Sequence, residues 1–194
     1  MGNSKAKMFN KKASNPKNKP DEIIKNLKIH PGQNIADIGS GGGYFSFRFA
    51  ELVGKDGIVY SIDTNKDLLE FISNNIKQQS NIKIILATED NIPLTDAKID
   101  LIFMRNVYHH IKNRIEYVKK LKNILKSDGK IAIIEYKKRG RLFFSHRPSD
   151  HFIVPEHIIK EMETAGYQVK EQYFFLPEQS FIIFSLKIWE KLIK

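Results

Sequence analysis

The sequence predicts an α/β fold with a mostly parallel sheet, helices on both faces and an antiparallel hairpin at the carboxyl end. Three observations lead to this prediction. Short apolar runs alternate with helical patterns from residue 34 to residue 136, as in parallel sheets whose strands are joined by helices. One run, 100–104, is largely apolar, as expected for a strand covered on both faces. Two β-rich runs then follow with only a short turn between them, which indicates a hairpin.

Residues 1–20 precede this pattern and contain six lysines, no acidic residue, and the helix-breaking Pro16 and Pro20. We therefore predict a flexible basic tail over 1–20 and one domain over 21–194. The chain has 32 Lys and Arg against 22 Asp and Glu, a formal net charge of +10. Because the tail alone supplies six of these charges, the basicity does not by itself indicate a nucleic-acid-binding domain.

Each element beyond the tail is assigned from apolar spacing and from turn residues. Helices are predicted where apolar residues recur three and four positions apart, over 22–27, 44–53, 65–78, 114–125 and 155–165. Asp21 is predicted to cap the first of them, and Ser127, Asp128 and Gly129 to stop the fourth. Strands are predicted over 34–38, 58–63, 82–87, 100–104, 130–136, 168–176 and 180–187.

The composition excludes several kinds of chemistry. There is no cysteine, which removes disulfides, thiolate metal sites and cysteine nucleophiles, and we predict no metal site. No apolar run approaches the ~20 residues needed to span a bilayer, and the amino terminus has no apolar signal segment. We therefore predict a cytoplasmic protein.

A glycine cluster joins the first strand to the next helix and reads Asp37-Ile38-Gly39-Ser40-Gly41-Gly42-Gly43-Tyr44. Glycines allow the sharp turn and the close approach of a ligand. The spacing matches neither the dinucleotide fingerprint nor a P-loop. An acid before the glycines would repel pyrophosphate but attract a ligand that carries an ammonium group.

With this loop, the sequence resembles class I S-adenosylmethionine-dependent methyltransferases, in particular the small-molecule branch related to the ubiquinone/menaquinone methyltransferases. The resemblance runs from about residue 21 to residue 187 and implies a Rossmann-like sheet of seven strands in the order 3-2-1-4-5-7-6. It also implies S-adenosylmethionine as the cofactor. The implied cofactor-binding residues are Asp37, Gly39, Ser40, Gly41 and Gly43 for the methionine part, Asp63 and Thr64 at the ribose, Thr88, Glu89 and Asp90 near the adenine, and Arg105 and Asn106 after the fourth strand.

The Asp63 assignment has independent support, because the residue ends the second strand 24 positions after Gly39. An acid about 20 residues after such a loop commonly binds ribose hydroxyls. The alternative is that Asp63 only caps the following helix. The adenine assignment departs from the family, in which an Asp usually stands where this chain has Thr88, so Glu89 or Asp90 is the candidate substitute.

The loop after the fourth strand reads Met104-Arg105-Asn106-Val107-Tyr108-His109-His110-Ile111 and supplies the catalytic candidates. A base is needed only if the methyl acceptor carries a proton at neutral pH. His109 and His110 are the candidate bases, and Tyr108 is a candidate positioning group. The competing interpretation is that the histidines only pack against, or cap, the next helix.

Substrate contacts are predicted in the least regular segment. Residues 137–147 combine five Lys and Arg with Phe143 and Phe144. Such a loop could close over a small substrate or touch a membrane or nucleic acid, or it could simply be solvated. Arg147 and His151 are the candidate substrate-binding residues.

The predicted function is methyl transfer by in-line displacement to a small-molecule acceptor. Three alternatives remain open at this stage. The first is a membrane-surface methyltransferase acting on a lipid or quinone, suggested by the basic tail and the 137–147 loop. The second is an RNA methyltransferase, which only the charge supports. The third is a cofactor-binding regulator without catalysis. No DNA partner is expected.

Overall fold

The computed structural model describes residues 2–76, 81–95, 97–137 and 152–187. Within these residues the chain forms seven strands and six α-helices. The helices are α1 (Gly2–Ala13), α2 (Pro20–Leu27), α3 (Tyr44–Val53), α4 (Lys66–Asn75), α5 (Arg114–Leu121) and α6 (Pro155–Thr164). The strands are β1 (Asn34–Ile38), β2 (Ile58–Asp63), β3 (Ile82–Leu86), β4 (Ile99–Arg105), β5 (Leu125–Tyr136), β6 (Tyr167–Tyr173) and β7 (Gln179–Leu186).

All seven strands join one sheet in the order β3-β2-β1-β4-β5-β7-β6, so the predicted fold class and strand order are confirmed. The first five strands are parallel to their neighbours, whereas β7 runs antiparallel between β5 and β6. Ile38 pairs with Ile62 on one side and with Met104 on the other. The carboxyl ends of β1, β2 and β4 therefore meet at one edge, where ligands bind in sheets of this type.

The two faces of the sheet are covered by different helices, as the alternation along β4 shows. Leu101 and Phe103 pack in a cluster that includes apolar residues of α2 and α3. Ile102 and Met104 pack in a second cluster with apolar residues of α5 and α6. Because successive side chains of a strand point to opposite faces, a central strand between two helical layers must be apolar throughout.

Two details of the predicted elements were wrong. Helix α2 begins at Pro20 after Lys19, which makes no side-chain capping bond; Asp21 lies in the first turn and pairs with Arg48 at 3.0 Å. Helix α5 ends at Leu121, and residues 127–129 lie inside β5 instead of serving as a helix stop. Strand β5 already pairs with β4 from Leu125 onward, with a register shift between Ile99 and Leu101. This pairing overrides the local turn signals at 127–129.

The segment predicted as a flexible tail also differs from expectation, because residues 2–13 form α1. Gly2, Ala6, Phe9 and Ala13 recur at helical spacing on the less exposed face, and Ala6 is fully buried. This face packs against α4 and α3. Among the described residues, no helix is long and apolar enough to cross a membrane.

Candidate active site

A cavity of about 740 Å³ opens at the carboxyl edge of the sheet. Its wall is built from the loop after β1, the ends of β2, β4 and β5, the segment after β3, and helix α1. Most of the predicted cofactor-binding and catalytic residues line it. These are Asp37, Gly39, Ser40, Gly41, Asp63, Thr64, Thr88, Glu89, Arg105, Asn106, His109 and His110.

The glycine loop adopts the turn that its sequence requires. Gly39, Gly41 and Gly43 have positive φ angles of 74°, 58° and 86°, a region that side chains disfavour. A Cβ at Gly39 would lie 2.7 Å from a methyl group of Val107. Val107 thus packs closely against Gly39, in addition to any ligand that approaches the loop.

Asp37 is the buried acid at the end of β1, with 3% of its surface exposed. The Ser46 hydroxyl donates to its Oδ2 at 2.6 Å. Burial raises the pKa of Asp37 to about 7. The Ser46 hydrogen bond lowers this pKa and the nearby Asp63 raises it, but both effects are smaller than that of burial. The charge of Asp37 therefore changes near neutral pH.

Asp63 holds the glycine loop to the end of β2. Its Oδ2 accepts from the Gly41 amide at 3.0 Å, and its Oδ1 accepts from the Asn65 amide at 2.9 Å. The amino terminus of α4 is capped by Asn65, whose Oδ1 accepts from Asp67 and Leu68. The capping role considered for Asp63 thus belongs to Asn65, and Asp63 lines the cavity beside the loop.

Arg105 brings a cation to the same cavity, next to the aromatic face of Phe45 at 5.3 Å. Burial lowers the pKa of Arg105 from its usual value. Its Nε and Nη2 atoms and the Oγ of Ser40 are buried without a hydrogen-bond partner in the described part of the chain. Buried polar groups of this kind normally have a partner, so these donors require one from a ligand or from water.

His109, in the turn after β4, and Glu135, in β5, form a buried pair. His109 Nδ1 lies 2.8 Å from Glu135 Oε2, and the side chains are only 4% and 0% exposed. Glu135 also accepts from the His109 amide at 3.3 Å. A carboxylate at Nδ1 fixes the orientation of the ring and directs Nε2 away from it. The ring of His110 lies 4.0 Å from that of His109.

Three predicted site residues do not line the cavity. Tyr108 is fully buried, and its hydroxyl donates to Glu161 at 2.9 Å; burial, with Glu161 adding to it, raises the pKa of Tyr108. It is thus a core residue and not a positioning group for the acceptor. Asp90 turns away and accepts from the Thr88 hydroxyl at 2.7 Å, and Gly43 lies behind the loop against Ile72.

Two further candidates, Arg147 and His151, lie outside the described residues, as does most of the 137–147 loop. In the described ranges, no group of three His, Asp or Glu residues is arranged to hold a metal ion.

Sequence reasoning missed Glu135 and the α1 residues of the cavity wall, among them Phe9 and Asn10. Glu135 did leave a signal, because it is the only charged residue within the apolar run 131–136. A buried charge in such a strand calls for a partner. The α1 residues left a weaker signal in the spacing of their small and aromatic side chains.

Comparison with known proteins agrees with this geometry. A family model described as a methyltransferase domain matches residues 29–179, and the chain belongs to that family. The predicted class, a class I S-adenosylmethionine-dependent methyltransferase, is thereby confirmed, with S-adenosylmethionine as the cofactor.

Among similar proteins is the ubiquinone/menaquinone biosynthesis C-methyltransferase of Haemophilus ducreyi, 25% identical over 113 residues, 57% of this chain and 44% of that protein. Another is the demethylmenaquinone methyltransferase of a Geobacillus species, 24% identical over 117 residues, 59% of this chain and 50% of that protein. The alignment thus spans about half the length of these relatives. A solved S-adenosylmethionine-dependent methyltransferase from Aquifex aeolicus has the same fold, with a TM-score of 0.83, 23% identity and coverage of 94% of this chain and 97% of that one.

Proposed function

We propose that this protein transfers a methyl group from S-adenosylmethionine to a small-molecule acceptor, and that His109, oriented by Glu135, removes the acceptor's proton. The observation that carries the proposal is that His109, held from behind by the buried Glu135, lines the same cavity as Asp37, Asp63 and Arg105. A cofactor site and a candidate base thus share one cavity.

The residues present fit the amino-acid part of the cofactor, which carries both an ammonium and a carboxylate group. Asp37 supplies negative charge at the end of β1, and Arg105 supplies buried donors that lack a protein partner in the described chain. The orphaned Ser40 hydroxyl lies in the loop between them. A zwitterion would satisfy all three groups, because its two charges are opposite to those of Asp37 and Arg105.

The nucleoside part fits the next two strand ends. Asp63 retains lone pairs beyond those used by the Gly41 and Asn65 amides, and a carboxylate suits two neighbouring hydroxyls. Thr88 and Glu89 line the cavity beyond β3, where we place the adenine. Glu89 is also paired with Lys112 at 2.6 Å on the surface, so the same carboxylate would bind both Lys112 and the adenine.

The chemistry divides between cofactor and chain. When bound, S-adenosylmethionine supplies a methyl group already activated on a sulfonium. The cavity holds the acceptor in line with that methyl carbon, and such positioning alone supplies roughly 7–11 kcal/mol. The Nδ1–H of His109 donates a hydrogen bond to Glu135, and Nε2 takes a proton from the acceptor as the new bond forms.

The cofactor part of the proposal is tested by calorimetry with S-adenosylmethionine and S-adenosylhomocysteine. Asp63→Ala should weaken both by about tenfold or more, since it removes the ribose acceptor and the Gly41 bond. Asp63→Asn keeps one acceptor oxygen and should have a smaller effect. Unchanged affinity in Asp63→Ala would contradict this assignment of the ribose site.

The acceptor part is tested by incubating the protein with methyl-labelled cofactor and a cell extract. We expect label in the low-mass fraction, strongly reduced by His109→Gln but not by His30→Gln, a histidine in the turn before β1. Label recovered in RNA, or no transfer at all with cofactor bound, would favour the RNA methyltransferase or the non-catalytic regulator instead.

A lipid or quinone acceptor at a membrane surface is the second candidate. Two observations favour it. The two similar proteins from Haemophilus and Geobacillus are quinone-pathway methyltransferases, and α1, which lines the cavity, carries four lysines and no acid. An anionic membrane would attract this side of the molecule, so vesicle binding separates this candidate from a freely soluble acceptor.

A further inference from the structure

We propose that Asn10 is a positioning residue for the glycine loop. We also propose that α1, which forms part of the cavity wall, can undock from the domain and that bound cofactor stabilises its docked position. The inference rests on the cofactor part of the proposed function and is independent of the acceptor.

Asn10 joins α1 to the glycine loop through both ends of its amide. Its Nδ2 donates to the Gly42 carbonyl at 2.8 Å, and its Oδ1 accepts from the Tyr44 amide at 3.1 Å. The residue that precedes α3 is Gly43, which has no side chain to cap the helix. Since the first amides of a helix need an acceptor from outside it, Asn10 supplies this cap from a distant part of the chain.

Gly42 shows that the loop is shaped for α1 as well as for a ligand. A Cβ at Gly42 would lie 2.3 Å from the Ala6 carbonyl oxygen and 2.4 Å from Asn10 Oδ1. Gly42 does not have the positive φ of Gly39, Gly41 and Gly43, so its backbone conformation does not require glycine. Glycine is required there because α1 approaches too closely to leave room for a Cβ.

Helix α1 also reaches the space that the ligand would occupy. Lys5, Phe9 and Lys12 line the cavity, and Phe9 is the side chain nearest to where a Cβ on Gly41 would lie, at 3.4 Å. A cofactor lying along the loop would therefore contact Phe9. By linkage, a ligand that gains contacts from docked α1 must stabilise the docking by the same factor.

The docking of α1 is held by few groups. Two of its contact residues are small, Gly2 at its first position against Asp67 and Ala6 against Gly42, and Asn10 makes the polar bonds to the loop. Its four lysines have no acid within the helix to offset their repulsion, and a helix of 12 residues is marginal on its own in water. Loss of the Asn10 bonds should thus release α1 and open a path to the cavity.

The first test is the dissociation rate of radiolabelled S-adenosylhomocysteine, chased with unlabelled ligand. We expect Asn10→Ala to speed dissociation by about tenfold, as loss of a cap and a hydrogen bond implies. Asn10→Asp, which keeps the acceptor for Tyr44 but loses the donor to Gly42, should fall between. The matched control is Lys7→Ala, an exposed α1 residue, with a rate close to wild type.

The second test uses trypsin cleavage after the α1 lysines in the unmodified protein. S-adenosylhomocysteine should slow this cleavage, and Gly42→Ala, whose Cβ would displace α1, should speed it. The inference is overturned if the ligand binds but leaves cleavage unchanged, or if Asn10→Ala releases ligand at the wild-type rate. If the wild-type protein binds no S-adenosylhomocysteine, the cofactor assignment fails instead.

Discussion

Asp37 is the residue whose change of charge with pH should affect this site most, because burial raises its pKa from 3.8 to about 7. Between these two values the folded protein binds a proton at Asp37 that the unfolded chain has released. Stability therefore falls as the pH rises from about 4 to about 7. A buried carboxyl group with so strongly raised a pKa fits a role in ligand binding.

We expect Asp37→Asn to raise the free energy of unfolding at pH 8, by up to an amount on the order of 4 kcal/mol, and to change it little near pH 4. The Ser46 hydroxyl can still donate to the amide oxygen. Thermal unfolding without ligand, measured from pH 4 to pH 8, checks this. Asp56→Asn, at an exposed turn, is the control and should follow the wild-type curve.

Cofactor affinity should depend on the same group. Below pH 7 Asp37 is protonated, and a ligand ammonium must displace that proton in order to bind. We expect the affinity for S-adenosylmethionine to fall by roughly tenfold per pH unit below 7 and to level off just above it, where the ligand amino group still carries its proton. Calorimetry at several pH values measures this. The slope should vanish in Asp37→Asn, and a slope that persists there would assign the titration to another group.

Glu135 should matter for catalysis but not for cofactor binding. Glu135→Gln can present its NH₂ group to His109 Nδ1, which favours the wrong ring tautomer. Since a base contributes about 10²- to 10⁴-fold, we expect methyl transfer to a proton-bearing acceptor to fall by about a hundredfold or more. Affinity for S-adenosylhomocysteine should stay near the wild-type value. An equal loss of both would indicate that Glu135 only supports the fold.

At the scale of elements, α6 is tied to the β4–α5 region by one carboxylate. Glu161 accepts from Arg114 at 2.8 and 2.7 Å and from the buried Tyr108 hydroxyl at 2.9 Å. This contact explains why Tyr108, in a loop that otherwise faces the cavity, points into the core. It also fixes the backbone next to His109.

Glu161→Ala should lower the free energy of unfolding by about 2 kcal/mol, since it leaves a buried hydroxyl and a guanidinium without their acceptor. Urea denaturation measures the loss. Glu163→Ala, on the exposed side of the same helix, should change stability by less than about 0.5 kcal/mol. Equal effects of the two variants would show that the Glu161 bonds contribute little.

At the scale of the whole molecule, the net charge of +10 is unevenly placed. Lys5 and Lys12 line the cavity, and Lys7 and Lys11 are exposed on the same helix. We expect the protein to sediment with vesicles of phosphatidylcholine and phosphatidylglycerol more than with phosphatidylcholine alone, and less so at high salt.

The charge-reversed variant Lys7→Glu/Lys11→Glu should lose this binding, because each lysine near an anionic surface contributes about 1 kcal/mol. Lys55→Glu, in the turn that leads into β2 at the opposite edge of the sheet, should not. Equal binding to both kinds of vesicle, or none at low salt, would argue against the membrane-surface alternative.

Patterns in the sequence were sufficient to predict the elements from residue 21 onward, the parallel sheet with its terminal hairpin, and the acids and glycines of the cofactor site. These features are local: apolar periodicity, turn residues and a motif of eight consecutive residues carry them. Asp37 and Asp63 could be assigned because each lies at or near the end of a strand whose position the pattern fixes.

Which of the candidates share the cavity depends on contacts between distant parts of the chain. Tyr108 and His109 are neighbours in sequence, yet Glu161 draws one into the core and Glu135 holds the other at the cavity. Helix α1 was unpredictable for the same reason. Its polar, lysine-rich sequence has little helical signal, and its helix is stabilised by contacts with Gly42, Tyr44 and Asp67, residues that lie more than thirty positions away and meet it only once the sheet has formed.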